Sequence, residues 1–235
     1  RLAGVQGRFS QIRRALAETG SWRDEVAIGP AGAVSTVILS ANLVRDAEGR
    51  IDGLVAVFSD ISRQKAVERT LVELADRDAL TGLPNRRSLD RRIEAAIAGA
   101  AACGEGVAVH FVDLNDFKRV NDTHGHAAGD AILAAVAARL ATLAGGDAVA
   151  FRFGGDEFLL LQPSVCRPEA AAAFARRLVS GLAGPVQTEA MTVAVGASVG
   201  TALYPEDGDT AATLVAVADR RAYAAKPPSG GRRNG

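Results

Sequence analysis

Several things are scarce in this 235-residue sequence. There are two cysteines, Cys103 and Cys166, and they lack CxxC spacing. Two thiols alone cannot make a zinc site, so both read as free, small-hydrophobe thiols in a reducing cytoplasm. Net charge is absent too: 27 basic residues cancel 27 acidic ones. A neutral chain has no electrostatic footprint for sequence-independent nucleic-acid binding or for an anionic membrane surface. No apolar run reaches the ~18 residues that a bilayer-spanning helix needs. There is no signal-peptide pattern, and the chain opens on Arg1 rather than Met, as a fragment would, so upstream sequence could hold a membrane anchor. Aromatics make up 5%. What is present is ordinary globular material, 48% apolar and 23% charged, which excludes disorder as the main state and suffices for one large domain or two small ones.

Three regions differ in pattern. After a short helical segment, Arg8 to Glu18, the stretch from Trp22 to Asp60 reads as an antiparallel meander. Its strands are Glu25–Ile28, Val34–Val44 and Gly53–Ser59, with turns at Gly29-Pro30-Ala31-Gly32 and Asp46-Ala47-Glu48-Gly49. From Ile61 to Asp78 the period becomes helical. Ser62 is placed to cap it, and Val67, Leu71 and Leu74 form an a/d-like stripe. One heptad fits a coiled coil and a connecting helix equally. Beyond Asp78, strands and helices alternate: helix Asn85–Ala98, strand Val107–Leu114, helix Ala127–Ala144, strands Ala148–Phe153 and Phe158–Gln162 about a tight Gly-Gly turn, and helix Pro168–Leu182. A strand segment Thr192–Leu203, broken at Gly196 and Gly200, and a helix Thr210–Ala225 complete it. That order predicts an α/β (α+β) fold, βαββαβ, with an antiparallel or mixed central sheet and helices on one face.

The chemistry concentrates at two strand ends. Phe151-Arg152-Phe153-Gly154-Gly155-Asp156-Glu157-Phe158 places two carboxylates at a hairpin tip. An acidic turn is often nothing more than a solvated turn. Here, however, the strand Val109–Asp113 also ends in oxygen ligands, and if the two strands pair, Asp113, Asp156 and Glu157 converge. Three such carboxylates suit Mg2+, as in phosphoryl- and nucleotidyl-transfer sites. Asn115-Asp116-Phe117-Lys118 follows as a turn whose N–H groups could hold phosphate, with Lys118 adding charge. Asn121 and Asp130 each have the donor or acceptor groups to read a purine edge, though alone each would be a surface or capping residue.

Taken together, Asp78-Ala79-Leu80-Thr81-Gly82-Leu83-Pro84-Asn85-Arg86, Asp113 to Asp122, His124-Gly125-His126-Ala127-Ala128-Gly129-Asp130, Arg152 to Phe158, Ser198-Val199-Gly200 and Ala218-Asp219…Tyr223-Ala224-Ala225-Lys226 resemble, in order, the GGDEF family of diguanylate cyclases. The resemblance runs from Asp78 to the C-terminus. The meander is similar to the C-terminal half of a PAS sensor domain, and Val57 to Lys65 to a PAS–GGDEF junction. It implies three parts: a partial PAS domain over 1–61, a linker helix over 62–77 and a palm-like catalytic domain over 78–235. The implied activity is condensation of two GTP into cyclic di-GMP and two pyrophosphates, in a homodimer, in the cytoplasm. By the resemblance Asp113 and Asp156 hold Mg2+ (or Mn2+) with the Leu114 carbonyl, and Glu157 supports them. Asp156 is the base. Asn121 and Asp130 read guanine, Phe117, Lys118 and Lys226 hold the triphosphate, and Gly155 lets the backbone approach.

Three departures qualify the match. The Arg-x-x-Asp pair of product-inhibited relatives is replaced by Gly145 and Ala148, with Asp147 one place off and no arginine beside it, so no inhibitory site is expected. The tail after Lys226 is two residues too long and opens Pro227-Pro228, and Asn115 stands where many relatives have Asp. The alternative function is a non-catalytic GTP or cyclic di-GMP receptor, and a purely structural dimerisation unit is weaker still. Retention of Asp113, Asp156 and Glu157 argues for catalysis. His110 reads as a packed histidine, His124 and His126 as helix-entry hydrogen bonders, and Trp22 and Met191 as core. The half PAS domain has no His or Cys placed for haem.

Overall fold

The computed structural model describes residues 9–29, 35–188 and 192–227. Met191, the turn residues Pro30 to Gly32 and the tail beyond Pro227 lie outside the described residues. The chain divides into two units between Leu74 and Ala75.

In the first unit, α1 (Phe9–Thr19) precedes three antiparallel strands in the order β1-β2-β3: β1 (Ser21–Ile28), β2 (Ser35–Arg45) and β3 (Ile51–Asp60). Asp46 closes the β2–β3 turn by accepting the Arg50 and Glu48 amides, as an Asx turn does. The core is thin: Val26, Val37 and Leu39, with Ile12, Trp22 and Ile28 packed against it. Trp22 is therefore half-buried rather than central. On β3, Leu54, Val55, Val57 and Phe58 are all about half exposed. Helix α2 (Ser62–Ala75) buries none of its residues, and the Val67, Leu71 and Leu74 stripe lies open. Its cap differs from expectation: Asp60 Oδ1 accepts the Ser62 amide, while the Ser62 hydroxyl accepts the Thr36 amide.

The second unit is built on a five-stranded sheet, antiparallel throughout, with order β5-β6-β4-β8-β7. Helix α3 (Arg86–Cys103) starts at Asn85, whose side chain accepts the Ser88 amide, and stops at Gly104 in a left-handed conformation. Central strand β4 (Gly106–Asn115) follows, then α4 (Phe117–His124) and α5 (His126–Ala144), then the hairpin β5 (Val149–Gly154) and β6 (Glu157–Val165). Helix α6 (Pro168–Leu182) begins on its proline as expected. Short β7 (Gly184–Gln187), long β8 (Thr192–Tyr204) and α7 (Ala211–Ala224, capped by Thr210) complete the unit.

The helices cover both faces of this sheet, not one. Leu89 and Ile93 of α3 and Leu214 and Ala218 of α7 pack on Val109 and Phe111. Ile132, Val136 and Leu140 of α5 and Phe174 and Leu178 of α6 pack on Val112, Leu114 and Phe158 from the other side. The nearly continuous apolar run of β4 is the reason, because a strand with two apolar faces must be covered twice. Helix α5 is long and apolar enough to cross a membrane, but Ile132, Leu133, Val136, Ala137 and Leu140 are spent on this core.

Other expectations need correction. Asn115 to Lys118 is no free turn, since α4 starts at Phe117. The hairpin turns on Gly155-Asp156, with Gly154 paired to Glu157 inside the strands. The Thr192–Leu203 segment is not broken at its glycines: Gly200 lies where a Cβ would run into the α7 backbone at Ala218 and Ala222, so it serves close packing. Cys103 and Cys166 are free but exposed, not buried.

Candidate active site

Antiparallel register brings the acidic ends together. Asp113 on β4 faces Glu157 on β6 as its direct cross-strand partner, so both side chains share the α3–α7 face of the sheet. Asp156 precedes Glu157 in the turn, and its carbonyl accepts the Leu114 amide at 3.3 Å. Gly155 holds φ +49°, which a residue with a side chain rarely adopts. On the opposite edge of β4, Asp113 is level with Ser198 of β8, whose hydroxyl donates to Asn115 Oδ1 at 2.8 Å.

The electrostatics of this corner are unbalanced. Burial pushes the Glu157 carboxyl above its ordinary range, and the negative charges of Asp113, Asp156 and Asp219 push it further. Lys226, just past α7, answers them: its Nζ lies 2.8 Å from Asp113 Oδ2. That hydrogen bond holds the ammonium above its usual range, with Asp156 and Glu157 adding to the effect. Among the described residues no group of three or more His, Cys, Asp or Glu side chains is arranged to hold a metal ion. The donor set nevertheless fits a hard divalent cation. Its oxygens are carboxylates, and Asp113, Asp156 and Asp219 place further negative charge around Glu157.

The residues expected to hold nucleotide divide by element. Phe117, Lys118 and Asn121 ride on α4, which leaves the end of β4 directly, and Asp130 sits in the first turns of α5. Lys118 and Asp130 are exposed and Asn121 is half-buried. Asn121 Oδ1 lies against Gly129, where a Cβ would push the amide aside. The Phe117 side chain, 7% exposed, belongs to the core, so its expected phosphate role can rest only on its backbone N–H. No side chain caps the start of α4, and Asp116 before it takes a left-handed φ of +56°. His124 and His126 flank Gly125, the residue at which α4 ends and α5 begins.

Elsewhere, His110 is the packed histidine expected. It is fully buried between Thr201 Oγ1 at 2.9 Å and Gln162 Oε1 at 3.3 Å, and desolvation lowers its pKa to about 4. Asp147, expected to lack an arginine, pairs with Arg177 of α6 at 3.2 Å. Two residues without an expected role belong to the acidic corner: Asp219 through its charge on Glu157, and Arg152 through its bond to Gly155. The sequence signal was there, for both lie within the ordered motifs.

A helix-covered antiparallel sheet, with paired carboxylates at its centre and an acidic hairpin turning on Gly155, defines an α+β domain with an acidic corner suited to a hard cation. A model of the family "Diguanylate cyclase, GGDEF domain" matches residues 75–232, and the chain belongs to that family. It is 44% identical over 173 residues to a signalling protein of Caulobacter vibrioides, covering 73% of this chain and 21% of that one. It is 38% identical over 166 residues to diguanylate cyclase TpbB of Pseudomonas aeruginosa, covering 70% and 38% respectively. A crystal structure of a sensory box/GGDEF family protein from Caulobacter crescentus superposes with a TM-score of 0.61 at 46% identity, over 64% of this chain and 97% of that one. The chain thus spans well under half the length of these curated relatives.

Proposed function

We propose that this chain is an active diguanylate cyclase that condenses two GTP into cyclic di-GMP and two pyrophosphates, one GTP being carried by each subunit of a homodimer. The observation that carries this is the cross-strand pairing of Asp113 with Glu157, with Asp156 in the adjoining turn. Asp113, Asp156, Glu157 and the Leu114 carbonyl would hold Mg2+ or Mn2+, which supplies charge neutralisation at the phosphate oxygens. Asn121 and Asp130 take the guanine edge. Lys118, Lys226 and the Phe117 N–H hold the triphosphate, and Gly155 admits the nucleotide close to the backbone. Asp156 takes the proton from the 3′-hydroxyl. That oxygen forms a bond to the α-phosphorus of the GTP opposite, and the bond to pyrophosphate breaks. The same exchange, repeated with roles reversed, closes the ring. Holding the two nucleotides on separate subunits makes alignment the controlling variable.

The domain assignment follows from the sequence: a PAS-like sensor half over 1–61, a linker helix over 62–77 that aligns two catalytic domains, and catalysis over 78–235, in the cytoplasm. Incubation with GTP and Mg2+, followed by nucleotide chromatography, tests the activity. Cyclic di-GMP and pyrophosphate in a 1:2 ratio support it, whereas GTP bound but unconverted would contradict it.

A further inference from the structure

Arg152, in the hairpin strand β5, has a side chain only 14% exposed. Its Nη1 donates to Asp78 Oδ1 at 2.9 Å and its Nη2 to the Gly155 carbonyl at 2.9 Å, while its Nε is buried and meets no acceptor among the described residues. Asp78 is itself a fixed point. Its Oδ1 also accepts the Thr81 amide and hydroxyl, its amide donates to Leu83 O, and its carbonyl accepts the Gly82 amide. The Arg152 amide bonds Pro84 at the far end of the same loop. The guanidinium therefore spans from a closed loop, Asp78 to Pro84, to the catalytic turn.

Asp156 sits between two peptide planes. The plane after it is tied to β4 through Asp156 O and the Leu114 amide. The plane before it, Gly155–Asp156, is tied through Gly155 O to Arg152. Since peptides are planar, fixing both carbonyls leaves the Asp156 backbone little freedom to reorient. We propose that Arg152, anchored by Asp78, is a positioning residue that fixes the Gly155–Asp156 peptide and thereby aims the Asp156 carboxylate. It touches no substrate and acts through the turn. This rests on the proposed cyclase reaction and adds to it a residue outside the metal and nucleotide contacts.

Lysine at position 152 keeps the charge but cannot reach two acceptors with a planar fork. Arg152→Lys is expected to lower kcat ten- to a hundredfold, the scale of a small misplacement of a reacting group. KM for GTP should stay within about twofold, because α4, α5 and Lys226 are untouched. Hydrogen exchange at the Gly155 and Asp156 amides should quicken. Asp78→Asn should act in the same direction, and the double variant should be no worse than Arg152→Lys, since both break one chain of contacts. Should Arg152→Lys fail to fold, Asp78→Asn carries the kcat and exchange test alone. Wild-type kcat and exchange in the variants, or losses that merely follow a reduced folded fraction, would overturn the positioning role while leaving the cyclase standing. An inactive wild-type chain would instead overturn the cyclase, and the positioning role with it.

Discussion

Lys226 and Asp113 form an ion pair across 2.8 Å at the edge of the acidic corner, one partner 39% exposed and the other 15%. The pair joins the residue just past α7 to the end of β4. Among the described residues this ammonium partly balances Asp113, Asp156 and Glu157.

Lys226→Met removes the competitor for Asp113 and, with it, the proposed phosphate contact. KM for GTP should rise about tenfold, the loss of one charge-assisted contact. Mn2+ binding by the nucleotide-free chain, read by calorimetry, should tighten several-fold. Stability should move by no more than about 1 kcal/mol, as for partly exposed pairs. Unchanged Mn2+ affinity together with unchanged KM would remove Lys226 from the site.

Asp130→Ala should reduce the preference for GTP over ATP by at least tenfold, because the guanine N1–H and amine then lose the acceptor proposed for them. Competition binding with both nucleotides measures it. An undiminished preference would take Asp130 out of the guanine reader.

His110 should make the second unit acid-sensitive. Its folded pKa is about 4 against 6.5, so between those values the unfolded chain binds more protons than the folded one. Stability is therefore lost as pH falls from 6.5 toward 4, by about 2–3 kcal/mol at pH 4.5. Urea titrations at pH 7 and 4.5 should show this difference in the wild type and a smaller one in His110→Gln. Parallel losses in both would be the contrary result.

Product inhibition should be weak. Gly145 and Ala148 offer neither a cation nor a carboxylate, and Asp147 is engaged by Arg177 rather than free to repel phosphate. Rising cyclic di-GMP added to a running assay should slow it only at concentrations that compete with GTP. Micromolar binding away from the cleft, with loss of rate, would show that an inhibitory site exists.

Much of this was legible beforehand for identifiable reasons. The apolar run of β4, the helix starts near Asn85 and Thr210 and the proline of α6 each act locally, so the sequence carries them openly. Asp113 and Glu157 could be paired because each ends an apolar strand. Helix α4 was hidden because Asn115-Asp116 carries turn chemistry and the helix has only eight residues. Strand β7 was hidden because four residues containing Gly and Pro carry no period. Gly200 looked like a break because a glycine in a strand signals weakness until the helix lying on it is known. Arg152 stood within a motif, but its contacts were hidden for another reason: Asp78 is 74 residues away, and its second partner is a backbone carbonyl.

The central claim is turnover at the acidic corner, and product analysis of wild type beside Asp156→Asn tests it most directly. With GTP and Mg2+, the wild type should yield cyclic di-GMP. Asp156→Asn should fall at least a thousandfold, losing both the proposed metal ligand and the proposed base, while it keeps its thermal midpoint because the residue lies at a turn. Comparable product from both, or none from a folded, GTP-binding wild type, would contradict the account.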